Sequence, residues 1–334
     1  MRILFLCLWM TLGVCLEPSV LGAEFAGGDG TKENPWKIKT REQLAALSNY
    51  LGSKGSGRYF CLSSDILFSA EDFAAGGEFY NKGLGWQPIG SQTDANQMFR
   101  GSLDGRGHVI RNLTVNRPQT PDIGLFGYTR GAIIKDLRLE NLTFTGSTNV
   151  GGLTGTDRGS TFQNVSVTGT VSGQKTIGGL VGYAENTILT RCGSDCQVSA
   201  SLLSMNYTEI SSAGGLMGYG QEVEAAECYA LGTLSCTTSA YEGRTSGYIY
   251  AGGLIGCLKS GSVARSFVKG IVSGSTAAPS SAGDAYVGGL VGYLHVSTVV
   301  DSYTQGNIKA DARVDAQNIS DNDTGKVGCL CAVE

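Results

Sequence analysis

Histidine, charge and long apolar runs are scarce in this chain, and each shortage excludes a class of protein. His108 and His295 are the only histidines among 334 residues, and no His-Glu-x-x-His occurs, so the paired histidines of a zinc metallopeptidase centre are missing. Charged residues make up 16%, the net charge is −4 and no basic patch appears, which leaves no electrostatic footprint for nucleic acid. Beyond the first 16 residues no apolar stretch is long enough for a transmembrane segment, and no hydrophobic tail or sorting signal closes the chain. Proline is rare too, at six residues, and the 50 glycines show no collagen period.

What is present is Gly, Ser, Thr and Val, with 41% hydrophobic residues overall. That much Gly without loss of apolar residues points to an all-β chain full of tight corners. Residues 1–23 read as an export signal. Arg2 is a minimal charged start, residues 3–16 are almost wholly apolar, and small residues follow at Gly22 and Ala23. Val14 fits a lipoprotein box at Cys15 poorly, so the expected address is secreted or cell-envelope without lipid at that Cys. Setting aside Cys7 and Cys15, the other cysteines are not spaced like a small disulfide scaffold, and Cys192 with Cys196 lacks the partners of a zinc site.

Self-similarity carries the most information. Gly124-Leu125-Phe126-Gly127 is followed by Gly151-Gly152-Leu153-Thr154-Gly155 and Gly178-Gly179-Leu180-Val181-Gly182. Three more copies centre on Gly215-Leu216, Gly253-Leu254 and Gly289-Leu290, and a degraded one reads Gly328-Cys329-Leu330-Cys331-Ala332. Each period holds a few short strands separated by Gly corners, a unit too small to bury its own apolar face. Stacking on the next copy in parallel register, about 4.8 Å away, solves that problem. The expected fold is therefore a right-handed parallel β-helix of about seven rungs. A propeller blade needs more residues than the 27 between Leu153 and Leu180.

Stacking implies columns. Leu153, Leu180, Leu216, Leu254, Leu290 and Leu330 form one inward aliphatic ladder, and Leu137, Val165, Cys192, Cys228, Ser266 and Ser302 another, where small residues are tolerated. One place earlier stand Asp136, Asn164, Arg191, Glu227, Arg265 and Asp301, whose signs alternate from Arg191 onward, as a water-facing ladder requires. Residues 24–97 are expected to cap the coil of residues 98–334. Thr40-Arg41-Glu42-Gln43 is a capping box opening a helix with Leu44, Leu47 and Leu51 on one face, stopped by Gly52. The strand 59–68 follows, and the first rung is expected at 99–110.

These motifs, with Asn34-Pro35-Trp36, Trp86-Gln87-Pro88-Ile89-Gly90 and Leu103-Asp104-Gly105-Arg106-Gly107-His108, resemble the GLUG-motif family of bacterial surface and secreted proteins. The resemblance runs from about Gly27 to the end and implies an exported β-helix, usually part of adhesin-like proteins. Some immunoglobulin A-cleaving metallopeptidases carry such repeats beside a zinc domain, whose histidine motif this sequence lacks.

No catalytic constellation, metal site or cofactor is expected. Asp104 and His108 read as turn residues, Asp321-Asn322-Asp323-Thr324-Gly325 as a solvated loop, and Tyr183, Tyr219 and Tyr293 as a packing ladder. Cys192 and Cys228 lie on adjacent rungs and read as buried free thiols. Binding is best sought where the longer periods insert residues, at 202–212, 237–250 and 275–286. These loops emerge on one flank and carry Tyr207, Tyr241, Tyr248, Tyr250 and Tyr286. The expected function is adhesin-like binding of an extracellular glycan or a host or matrix protein through that flank. The alternatives are a polysaccharide-degrading enzyme, which needs converging acids, and a passive spacer.

Overall fold

Each repeat makes one circuit through three sheets, here called A, B and C, in a computed structural model that describes residues 24–205, 208–240, 247–278, 284–314 and 327–328. From Val181–Glu185 in sheet B the chain turns into Ile188–Thr190 and Gly193–Ser204 in sheet A. It returns through Ile210–Gly214 in sheet C and crosses a pentad into Met217–Gln221, the next strand of B. Successive circuits pair in parallel: Val181, Met217, Ile255 and Val291 are direct partners in B, as are Ser199, Ser235 and Ser273 in A. The chain is a parallel β-helix. Residues 1–23, read as the export signal, lie outside the described residues.

Two corners of every coil are made by a single left-handed residue. Gly131, Gly159, Asn186, Glu222, Ser260 and Val296 form one such column, with φ from +49° to +73°. The charged column from Asp136 to Asp301 forms the other, with φ from +48° to +58°. Glu227 lies 3.9 Å from Arg191 and 3.4 Å from Arg265, so the alternating signs become a ladder of exposed ion pairs. Such pairs are worth about 0–1 kcal/mol each. The fold rests instead on the inward ladders. Leu153, Leu180, Leu216 and Leu254 are fully buried and Leu290 nearly so, each contributing roughly 1.5–3 kcal/mol.

The amino-terminal segment winds earlier than expected. Trp36–Ile38 pairs in parallel with Tyr59–Leu62, which pairs with Ser102–Asp104, which pairs with Ile133–Thr145. Phe25, Trp36, Tyr50 and Phe60 pack over this start with ring centroids 4.6–5.6 Å apart. The Thr40 half of the capping box forms, with the Gln43 backbone amide donating to Thr40 Oγ1 at 3.3 Å, while Gln43 Oε1 accepts instead from the amide of Lys39, one residue before the cap, at 2.8 Å. The helix it opens is short, Arg41–Ala45, and tightens into a 3₁₀ turn, Ala46–Asn49, that still buries Leu44 and Leu47. At the far end Gly328 pairs with Tyr286 instead of Gly288. Cys329 and Ala332 stand where the other copies carry Gly in the sequence; residues 329–334, Leu330 among them, lie outside the described residues.

Candidate functional site

The last Gly of each pentad brings the backbones of sheets B and C together. A Cβ on Gly182 would lie 2.5 Å from the Gly155 carbonyl oxygen and 2.6 Å from the Val150 nitrogen; one on Gly218 would lie 2.6 Å from the Ile177 nitrogen. Only Gly fits that close to backbone. From this seam two outward columns of side chains, one on B and one on C, meet in the angle between the sheets, here called the cleft. Thr156, Tyr183, Tyr219, Cys257 and Tyr293 are successive partners in B. Ser212, Tyr250 and Tyr286 are partners in C, one coil after Thr176.

The cleft changes character along its length. Near the amino-terminal coils it is sealed by polar contacts: the Thr156 hydroxyl donates to Asp122 Oδ1 at 2.6 Å, and Asn149 Nδ2 donates to the same oxygen at 3.0 Å. Farther along it is aromatic. Tyr183 and Tyr219 stack at 5.2 Å, with Lys259 Nζ 5.5 Å from the Tyr219 centroid. Tyr250 and Tyr293 stack at 4.6 Å, and Tyr286 stands edge-on to both at 5.4 and 6.0 Å. Burial pushes the Tyr250 phenol up to about 12, and burial with the neighbouring Asp284 raises Tyr286. A hydrogen bond to Tyr219 holds the Lys259 ammonium above the usual lysine range. All five tyrosines are half-buried, whereas Cys257 beneath them is fully buried.

Two expectations change here. The inserted segments are not simply loops: 202–204, 237–240 and 275–278 continue the strands Gly193–Ser204, Thr233–Ala240 and Phe267–Ala278. Inserts at the same point of successive coils pair with one another, Leu202 with Thr238 and Thr238 with Thr276, and so satisfy their backbone groups. The expected ladder of Tyr183, Tyr219 and Tyr293 is broken, because Cys257 occupies the coil between Tyr219 and Tyr293. Tyr293 therefore stacks on Tyr250 across the cleft. Of the five flank tyrosines, Tyr250 and Tyr286 meet there and Tyr248 stands on the same strand as Tyr250, in register with Ile210. Tyr207, Tyr241 and residues 321–325 lie outside the described residues.

The other singled-out residues have separate partners. Asp104 Oδ2 lies 3.0 Å from Lys135 Nζ, while His108 Nδ1 is 3.0 Å from Asp65 Oδ1. Cys192 and Cys228 are buried free thiols, and burial pushes Cys228 up to about 12. Among the described residues no group of three or more His, Cys, Asp or Glu is placed to hold a metal ion. An aromatic column on sheet A, Tyr229, Phe267 and Tyr303, escaped the sequence reading. The signal was there, since each follows by one residue a member of the inward column Cys228, Ser266 and Ser302, and so falls on the outward side of the two-residue period.

No family model matches the chain. It is 39% identical over 165 residues to halomucin of Haloquadratum walsbyi, covering 49% of this chain and 2% of that protein. It is 40% identical over 147 residues to a provisionally named Gly-rich membrane protein of Evansella cellulosilytica, covering 43% of this chain and 15% of that one. A solved structure of an IgA1 protease shares the fold, with a TM-score of 0.55 at 18% identity over 87% of this chain and 21% of the solved one. The chain thus spans a small part of each of these larger proteins.

Proposed function

We propose that this chain is an exported β-helix scaffold that acts by binding, holding an extracellular glycan or protein against the tyrosine cleft between sheets B and C. The observation that carries this reading is the cluster of Tyr250, Tyr286 and Tyr293. Three rings from two sheets meet on the outside of the coil, half-buried, where the core has no use for them. Tyrosine joins a large apolar face to a polar tip, which suits contact with a partner more than bulk packing. The acids support a role without catalysis, because Glu227 is paired between Arg191 and Arg265 and Asp104 is paired with Lys135. The name of the Gly-rich membrane relative supports an envelope or extracellular address. No helix among the described residues is long and apolar enough to cross a membrane.

The test is binding of the purified mature chain to an array of glycans and extracellular-matrix proteins. Saturable binding to a defined subset is expected. Loss of one anchoring ring should weaken it about tenfold or more in Tyr286→Ala and Tyr293→Ala. Full affinity in both variants would remove the cleft from the function, and a silent array would leave the passive spacer as the better reading.

A further inference from the structure

The outer face of sheet A carries a second and different surface. Tyr229, Phe267 and Tyr303 are register partners on successive coils, and their rings stack at 5.8 and 5.6 Å with planes 19° and 12° apart. The stack leans toward the amino terminus: Tyr229 Cζ lies 2.0 Å from where a Cβ on Gly193 would be, so the ring lies across bare backbone of the preceding coil. Tyr303 is 52% exposed, and Ile271, farther along the same face, is 50% exposed. These are large apolar groups left in water beside a core that is otherwise closed.

Farther along the same coils, four and six residues past the rings, lies a field of hydroxyls. Thr170, Gln197 and Thr233 share one column, and Ser199, Ser235 and Ser273 share the next but one residue along each strand. Two protons here are already committed within the sheet: Ser273 Oγ donates to the Leu234 carbonyl at 3.0 Å and Thr237 Oγ1 to the Ala200 carbonyl at 3.4 Å. Such hydroxyls turn lone pairs outward, at a spacing of about 4.8 Å along the axis. Two depressions of about 460 and 390 Å³ adjoin on this face and share Ser235 and Ser273. Of the residues lining them, only Lys309 and Asp311, at one end, carry charge.

We propose that this face binds a neutral polysaccharide lying along the strands, with sugar rings against the Tyr229–Phe267–Tyr303 stack at one end and sugar hydroxyls donating to the serine column of the groove farther on. Outward acceptors need a partner rich in donors, and a polyol supplies one on nearly every carbon. A polyanion such as a uronate polymer would lose hydration along the groove, where Lys309 is the one lining cation and stands beside Asp311, while Lys269 Nζ is engaged 5.9 Å from the Phe267 centroid. Aromatic rings offer the apolar contact that the C–H faces of sugars lack in water. The groove lies on sheet A and the tyrosine cleft between B and C, so the two readings stand or fall separately.

The experiment is affinity electrophoresis of the intact mature chain through gels containing dextran, a soluble β-glucan, a galactomannan or polygalacturonate. Retardation is expected in at least one neutral gel and not in polygalacturonate. Tyr303→Ala and Phe267→Ala should each lower that affinity tenfold or more. Tyr303 is exposed enough that its truncation leaves the core closed, and circular dichroism checks each variant's fold. Unchanged migration in every neutral gel, equal retention by polygalacturonate, or full affinity in both ring variants would overturn the proposal. Retardation abolished by Tyr293→Ala alone would overturn it as well, and assign the sugar to the cleft.

Discussion

The Ser266 hydroxyl oxygen accepts a hydrogen bond from the Cys228 amide of the preceding coil at 3.0 Å. Ser302 does the same for the Ser266 amide, also at 3.0 Å, and the Cys228 thiol meets the Cys192 amide in the same way. The residue before each of these amides is left-handed, at Arg191, Glu227 and Arg265. A buried amide at such a corner needs a partner, and the side chain one coil later supplies it. A column that reads as merely tolerant of small residues is therefore a spine of acceptors.

Removing one acceptor should be costly out of proportion to its size. Ser266→Ala leaves the buried Cys228 amide without a partner, an expected loss of about 1–3 kcal/mol. Ser266→Cys should recover most of it, since Cys already serves at positions 192 and 228. Urea unfolding of the three proteins measures the difference, and an alanine variant as stable as the parent would refute the role.

The parts of this fold that were legible in the sequence are local and periodic. Pentads recur, Leu follows the second Gly, and signs alternate from Arg191 to Asp301, so the coil and its ladders follow from register alone. The left-handed corners were only partly legible, because Arg191, Glu222, Glu227 and Arg265 have no preference for that conformation and only the stacked coils impose it on them. The cleft was half legible. Tyr250 and Tyr286 stood out in the inserts, but their contact with Tyr293 depends on how sharply the pentad folds sheet B against sheet C. Cys257, which breaks the tyrosine ladder, was visible after the fifth copy and was outweighed by the three tyrosines on either side.

Asp157 should make stability fall as the pH rises. Its carboxylate is fully buried, accepting from Thr129 Oγ1 and Thr187 Oγ1 at 2.6 Å each and from the Ser160 amide at 3.2 Å. Burial nevertheless pushes its pKa above the ordinary carboxylate range, outweighing those bonds. The unfolded chain then ionises first, so stability declines from the ordinary carboxylate value up to the raised folded one and is level beyond it. Asp157→Asn keeps the bridge among three coils without the charge. Thermal melts across that window should show the parent losing ground to the variant as the pH increases; parallel curves would dispose of the argument.

Val296 is strained and can be relieved. It holds φ at +49° although it is β-branched, and at 76% exposure it packs against little. The same corner is Gly131, Gly159 and Asn186 in earlier coils. Val296→Asn should therefore stabilise the carboxy-terminal coils by about 1 kcal/mol, the usual difference in left-handed cost. Slower amide exchange at Thr298–Val300 would register the gain, and faster exchange there would show that the valine is held by contacts instead.

Two glycines separate conformational strain from collision. Gly159 has φ +73° and open space where a Cβ would go, so Gly159→Ala bears only the left-handed cost, about 1–2 kcal/mol. At Gly218 the added carbon would sit 2.6 Å from the Ile177 nitrogen and 2.8 Å from the Gly182 oxygen. Those atoms are backbone and cannot swing aside, so Gly218→Ala must part sheets B and C. Overpacking of this kind costs about 1–3 kcal/mol and occasionally more, and here it also opens the angle between the columns that carry Tyr219 and Tyr250. The expected signature is a weakened cleft ligand together with a lower melting temperature in Gly218→Ala, against a lower melting temperature alone in Gly159→Ala. If Gly218→Ala instead melts with the parent and binds as well, the pentad glycine is not what sets the cleft.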